Sequence, residues 1–474
     1  MAVGLVRNKY LAATIGPQGF GMYSLLSGFF EMMSVFAGAS MATGTTKYIS
    51  EYYHNGDTEK THQTFTLSVI CTFSAGLLLT LVFLGAPSIF VRTFLSPQIA
   101  RPYYLLFAAG FVWMTMRPVL LSVLQGTLQV KAALYARALT SFLDVVLVVI
   151  LVYAFHIYGF FLSLLISAVA GSLLLFHFIR THCRLRFRKV SPFGPVGKRL
   201  LTFGWVNLYL AALNLSSQYI QRMMILRQID IVTLGIFQAA VSLTIYVGFI
   251  NRSSAYYFFP QISQSTSNEN KAGEINDCLH LLLLTSVPLF STVILFSGWM
   301  VAVLYSRMFL TLSSLLFWFV LAQFIADVGT IFKLTVAGMA RLGIHSVSVT
   351  TNHLLWIIVP FAFISRYGVA SIAMGICVGE MAAASLNFMY LRKAVGLRLS
   401  SRNGYLLLVG ILGFILCKSC SGQGLGSRLF VLLLIISGVG LLVERRFMHA
   451  GVTIVAQAVN DLKAVFKTAW ESSS

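Results

Sequence analysis

The chain has 474 residues, of which 58% are hydrophobic and only 10% are charged, and its formal net charge is +20. Soluble proteins carry about a quarter charged residues, so this composition excludes a soluble globular protein and a disordered chain. The apolar runs reach the ~20 residues that a helix needs to cross a bilayer and lack strand-like alternation. The sequence therefore predicts an all-α polytopic membrane protein.

Breaks at Gly, Pro and polar residues divide the chain into fourteen predicted membrane helices. The first twelve spans lie near residues 1–15, 22–46, 64–90, 102–124, 134–155, 159–180, 200–222, 232–259, 279–305, 311–337, 345–365 and 368–391, and two more lie near 404–418 and 428–444. We interpret 1–180 as an N-lobe, 181–199 as a basic linker, 200–392 as a C-lobe and 393–447 as two additional helices. Residues 448–474 predict an amphipathic tail on the inner membrane surface.

The distribution of cations predicts the orientation in the membrane. Lys and Arg concentrate in the loops of one side, which the positive-inside bias makes cytoplasmic, so both termini are expected in the cytoplasm. This bias also explains the positive charge without a nucleic-acid partner. Because Arg7 and Lys9 lie inside the first span, we expect no cleavable signal peptide. That span is short for a membrane crossing, so either the recorded start is late or the helix begins below the membrane surface.

Comparison of the chain with itself at a shift of roughly 210 residues indicates an internal repeat. Gly126 aligns with Gly338 and Arg180 with Arg392, and the hairpin at Ile15–Gly16 is echoed at Leu234–Gly235. Six helices per copy is an even number, so the copies should enter the membrane the same way up. This parallel arrangement is typical of secondary transporters that bind substrate between two halves and rock around it.

Several short segments together resemble the Wzx-type O-antigen and enterobacterial-common-antigen flippases of the multidrug/oligosaccharidyl-lipid/polysaccharide (MOP) superfamily. They are the Gly-Pro-x-Gly-x-Gly break at Gly16–Gly21, Thr46–Tyr48 ending the second helix, Leu234–Gln238, Pro260 ending the eighth helix and Asp327 in the tenth. The similarity covers the first twelve spans. It implies a substrate in which undecaprenyl diphosphate carries a short oligosaccharide, moved from the inner to the outer leaflet of the bacterial cytoplasmic membrane, with polysaccharide polymerase machinery as a further partner.

Charged residues inside the spans are the candidate site, because a charge at the bilayer centre costs at least about 2.5 kcal/mol. The candidate substrate-binding cations are Arg7, Arg117, Arg222, Arg252 and Lys333. Arg7 and Arg222 lie on the first helix of their respective repeats and should face one another. Arg offers a planar fork that matches phosphate oxygens. The alternative for each cation, and for Lys9, is a side chain that snorkels to the interface.

The acids inside the spans are candidates for coupling transport to H⁺ or Na⁺. Glu31 and Asp327 favour this role, whereas Asp144 and Glu380 favour structural pairing. Asp327 precedes Lys333 by six residues, too far for a helical pair, so each needs another partner. We expect no metal site, cofactor or catalytic residues.

Two other functions are compatible with a polytopic membrane protein. A multidrug extruder of the same superfamily would line its cavity with acids and aromatics, whereas the spans here hold more cations than acids. A membrane polymerase or ligase would carry catalytic residues on a long outward loop, and every predicted outward loop is short. The sequence thus favours a flippase over an enzyme.

Overall fold

The computed structural model describes residues 2–39, 41–95, 101–183, 185–191, 194–264, 268–339 and 341–440. Over these ranges the regular structure is entirely helical. The helices are α1 (Ala2–Thr14), α2 (Gly16–Ser34), α3 (Met41–His54), α4 (Thr58–Gly85), α5 (Pro87–Phe94), α6 (Arg101–Gly126), α7 (Val130–His182), α8 (Pro195–Gln228), α9 (Ile231–Gln264), α10 (Asn268–Leu295), α11 (Ser297–Leu304), α12 (Leu312–Gly338), α13 (Leu342–Tyr367), α14 (Ala370–Val395), α15 (Ser401–Cys420) and α16 (Leu425–Gly440). Ten helical segments in the described ranges are long and apolar enough to cross a membrane.

Three residues with positive φ mark the main interruptions of the N-terminal helices. Gly16 (φ +64°) turns the chain from α1 into α2, and Gly38 (φ +92°) lies in a π-helical turn, Val35–Ala39, between α2 and α3. Glycine tolerates this backbone conformation because it has no Cβ. His156 (φ +50°) interrupts the 53-residue α7, which therefore consists of two consecutive helical segments.

The predicted fold class is confirmed, since the chain is an all-α polytopic membrane protein. Within the described residues, the fourteen predicted spans fall mostly on helix, and the predicted break between residues 155 and 159 coincides with His156. The predicted tail at 448–474 lies outside the described residues.

Two predicted helix ends were wrong. Thr46–Tyr48 does not end a helix, because α3 continues to His54. Pro260 lies inside α9, which continues to Gln264. Proline lacks only its own N–H donor, so a helix can continue past it at the cost of one hydrogen bond and a local distortion.

The helices form two compact units. Unit 1 comprises residues 1–243, 298–319 and 346–382, and unit 2 comprises residues 244–297, 320–345 and the described residues from 383 onward. In unit 1 the aromatic face of α2, with Phe29 and Phe30, packs among rings of α4, α5 and α6. In unit 2, α10 packs against α15 and α16, and Phe290, Phe324 and Phe414 form its aromatic core. The units do not coincide with the two lobes, whose parallel repeat stays a prediction.

Candidate functional site: an arginine cluster on α1, α2 and α8

One face of α2 is built to receive a long cationic side chain. Ser24, Gly28 and Glu31 follow at intervals of four and three residues, so they lie on the same side of the helix. Arg222 of α8 packs on this face and is only 6% exposed. Its Nε donates a hydrogen bond of 3.2 Å to Ser24 Oγ, which in turn donates one of 2.8 Å to Gln238 Oε1 on α9.

Three charged residues lie near the side chain of Tyr23. The ring interacts electrostatically with Arg7, Glu31 and Arg222, and Arg7 also lies within hydrogen-bonding reach of the hydroxyl. Glu31 interacts with Arg222 as well. The side chain of Glu31 is exposed, whereas that of Arg222 is buried. An approaching ligand can therefore reach the carboxylate of Glu31, whereas the guanidinium of Arg222 is covered by the packing of α2 and α8.

Arg7 contributes a hydrogen-bond donor without a protein acceptor. Its Nε is buried and makes no hydrogen bond to any described residue. A buried donor that lacks an acceptor costs free energy, and a guanidinium is well suited to phosphate oxygens. Arg7, Tyr23, Ser24, Glu31 and Arg222 are called the arginine cluster below. The cluster can hold an anionic group between two guanidinium groups, with one carboxylate nearby.

The structure assigns other contacts to the remaining cations of the N-terminal helices. Lys9 Nζ donates hydrogen bonds of 3.2 and 2.5 Å to the carbonyl oxygens of Ala302 and Val303 at the end of α11. Arg117 forms a 3.2 Å ion pair with Asp144, and both side chains are about one quarter exposed. Thus the pairing that the sequence favoured for Asp144 is present, and its partner is a predicted substrate-binding residue.

Ser167 and Gly171 complete the surroundings of this ion pair. The hydroxyl of Ser167 donates a hydrogen bond to Asp144. A Cβ on Gly171 would lie 2.2 Å from a terminal nitrogen of Arg117, so the small residue makes room for the guanidinium. The pair joins α6 to both segments of α7.

Three predicted site residues, Asp327, Lys333 and Arg252, belong to unit 2. Asp327 is 1% exposed and accepts a 2.6 Å hydrogen bond from Gln323, one turn earlier on α12. Lys333 lies close enough to His345 to interact electrostatically. Arg252 is within helix α9, but its side chain is outside the described part of the structure.

A second polar group lies in unit 1, on α8, α13 and α14. Asn352 Nδ2 donates a 2.8 Å hydrogen bond to Glu380, which is 4% exposed, as the structural interpretation of Glu380 expected. Ser217 and His353 Nδ1 are 3.0 Å apart. Among the described residues, no group of three or more His, Cys, Asp or Glu side chains is placed to share a metal ion.

Sequence reasoning missed the uncharged members of the site. Tyr23, Ser24 and Gln238 carry no charge, so a search for buried ions passes over them. The Ser24–Gly28–Glu31 spacing is the signal that would have identified the receiving face of α2.

Comparison with known proteins agrees with this fold. The lipid II flippase MurJ in an inward closed conformation superposes with a TM-score of 0.74 at 14% identity, covering 93% of this chain and 95% of that one. An inward-facing multidrug resistance MATE family transporter superposes with a TM-score of 0.69 at 17% identity, covering 83% and 94%. The chain therefore has the fold of these membrane transporters.

The sequence comparisons place the chain more narrowly. The family model described as "polysaccharide biosynthesis protein" matches residues 1–266, more than half of the sequence, so the chain belongs to that family. The lipid III flippase of Escherichia coli K12 is 22% identical over 398 residues, which are 82% of this chain and 92% of that protein. The resemblance inferred from the sequence is confirmed at the level of the superfamily.

Proposed function

We propose that this protein is a flippase that moves an undecaprenyl-diphosphate-linked oligosaccharide across the bacterial inner membrane by alternating access. The observation that carries the proposal is the arginine cluster: Arg222 is buried beside Glu31, and the buried Nε of Arg7 has no acceptor among the described residues. A diphosphate supplies the acceptors that two guanidinium groups require. The named functions of the lipid III and lipid II flippases support this substrate class.

In the proposed cycle, the diphosphate binds at the arginine cluster while the polyprenyl chain stays in lipid. Glu31 offsets part of the positive charge of Arg222 before the substrate arrives, and the incoming phosphate replaces it as the nearby anion. Arg252 and Lys333 are proposed as further phosphate-binding cations, and H⁺ or Na⁺ binding at Glu31 or Asp327 is proposed to drive the return step. Proteoliposomes with an imposed pH or Na⁺ gradient identify the coupling ion, and equal rates without either gradient would contradict coupling.

The direct test is transport in proteoliposomes. Purified protein is reconstituted with undecaprenyl-diphosphate-linked oligosaccharide, and the fraction reaching the opposite leaflet is measured with an impermeant sugar-modifying reagent. Arg222→Gln and Arg7→Gln should each slow translocation roughly tenfold or more, because a hydrogen bond to a charged group contributes about 1.5–3 kcal/mol. Arg137→Gln, which removes an exposed guanidinium on α7, is the matched control.

The same proteoliposomes distinguish a flippase from a multidrug extruder. An assay for extrusion of organic cations runs beside the lipid assay, because a multidrug extruder shares the fold. Cation export by the wild-type protein without lipid translocation would replace the proposed function. Full lipid transport in both Arg variants would retain the function and remove the arginine cluster as its site.

A further inference from the structure

A lateral groove lies between α5, α8 and α13 of unit 1. Its volume is about 470 Å³, and its walls are mostly apolar. Phe94, Ile220, Met223, Met224 and Phe361 line it. Phe361 is 72% exposed, so the groove opens toward the outside of the helix bundle.

Arg227 and Gln228, the last two residues of α8, also line this groove, and both are exposed. Arg227 donates a 3.3 Å hydrogen bond to the carbonyl oxygen of Thr93 at the end of α5. This bond uses one of the five N–H donors of a guanidinium. The groove thus combines an apolar floor with a cationic residue, and none of its lining residues is acidic.

Tyr219 connects the groove to the arginine cluster. The ring lines the groove, its hydroxyl donates a hydrogen bond to the carbonyl of Phe94, and it interacts electrostatically with both Arg222 and Arg227. Arg227 lies five positions after Arg222 on α8, a rise of about 7.5 Å along a helix. The Tyr219 ring therefore lies near both cations, one buried in the cluster and one exposed at the groove.

We propose that this groove is a second binding subsite for the lipid-linked substrate, in which Arg227 holds the diphosphate and the methionine-lined wall holds the first part of the polyprenyl chain. Methionine side chains adapt their shape to irregular apolar ligands, which suits a branched isoprenoid. The subsite lets the headgroup move from Arg222 to Arg227 while the chain remains in contact with protein. This inference rests on the proposed function.

The test uses a substrate analogue with a photoreactive diazirine in its polyprenyl chain, reconstituted with the full-length protein. In the wild type we expect labelled peptides from residues 219–228, and Met224→Trp, which fills the groove, should remove this labelling. Arg227→Gln should raise the half-saturating substrate concentration at least fivefold. Arg366→Gln, which removes another exposed guanidinium near the end of α13, should leave it unchanged.

Each outcome decides one question. Unchanged transport constants in both groove variants, with wild-type transport intact, would overturn the subsite alone. Labelling that phosphatidylglycerol suppresses and unlabelled oligosaccharide lipid does not would show an ordinary lipid site and overturn it too. A wild-type protein that moves no oligosaccharide lipid would instead overturn the proposed function. If Met224→Trp fails to fold by size-exclusion chromatography, Arg227→Gln with its Arg366→Gln control still decides the inference.

Discussion

Arg222 of α8 packs directly over Gly28 of α2. A Cβ built on Gly28 would lie 2.9 Å from both Cδ and Nη1 of Arg222, closer than real Cβ contacts come. The glycine is therefore a receiving surface for the guanidinium, and the position of the cation depends on a residue with no functional group of its own.

Gly28→Ala tests this relationship. The added methyl should push the guanidinium away from Ser24 and Glu31, so we expect translocation to fall severalfold while the protein still assembles in the membrane. Gly204→Ala on α8 is the control, because its Cβ would meet no atom within 4 Å and alanine favours a helix by about 0.5–1 kcal/mol. Equal transport in the two variants would mean that Arg222 does not need this position.

Gly21 and Gly235 bring the first turns of α2 and α9 into backbone contact. A Cβ on Gly235 would lie 1.8 Å from the carbonyl oxygen of Pro17, and one on Gly21 would lie 2.0 Å from that of Ile231. Because backbone atoms cannot rotate away, Gly235→Ala should force the two helices apart.

This separation can be measured by thiol labelling. Phe20 is 3% exposed, so in a background without native cysteines the thiol of Phe20→Cys should react slowly. Gly235→Ala should speed its labelling severalfold. Gly298→Ala, whose Cβ would meet nothing within 4 Å, should not. Slow labelling in both backgrounds would contradict the separation.

Lys9 should differ from Arg7 in its effect on transport. Lys9 binds carbonyl oxygens at the C-terminus of α11, where a cation contributes about 0.3–1 kcal/mol. Lys9→Gln should lower the thermal unfolding midpoint slightly and leave transport per folded molecule unchanged, and Lys9→Arg should restore the midpoint. A transport loss in Lys9→Gln as large as that in Arg7→Gln would assign Lys9 to the substrate.

The Arg117–Asp144 pair allows a test of structure against function. Arg117→Met leaves a partly buried carboxylate without its cation and should cost roughly 1–3 kcal/mol of unfolding free energy. The double variant Arg117→Met/Asp144→Leu should recover most of that loss, because paired removal of ions is often neutral. If the double variant folds normally but does not transport, Arg117 contacts the substrate, as the sequence predicted.

Asp57 lies outside the predicted membrane spans and should make the stability of the fold depend on pH. The side-chain hydrogen bond from Lys60, aided by the Lys60 backbone N–H, holds the pKa of Asp57 below its usual range. A carboxyl whose pKa is lower in the folded state stabilises the fold above its unfolded pKa, near 3.9. That contribution disappears as pH falls through the folded-state value.

Asp57→Ala should therefore lower the unfolding midpoint equally at pH 6 and pH 8, and the difference from wild type should shrink below about pH 4. Lys60→Met retains the cap on its own backbone N–H and should show a smaller loss. A difference in unfolding midpoint between wild type and Asp57→Ala that grows as the pH falls would contradict this explanation.

The sequence predicted the helices well because apolar length and Gly, Pro or polar breaks are local properties. It also expected Arg7 and Arg222 to face one another, and in the structure both side chains interact with Tyr23. The position of Arg222 along its span did not reveal that α2 covers the side chain. Likewise, Arg117 and Asp144 are 27 residues apart, so only the packing of α6 on α7 brings them together.

The bend at Gly38 separates the helix that carries cluster residues, α2, from the helix that packs against its neighbours, α3. Beyond it, α3 stays packed on α4, α6 and α8, while α2 before it carries Ser24, Gly28 and Glu31. Because glycine adopts this left-handed conformation without strain, Gly38 sets the angle between the helix that carries the arginine cluster and the helix that anchors it.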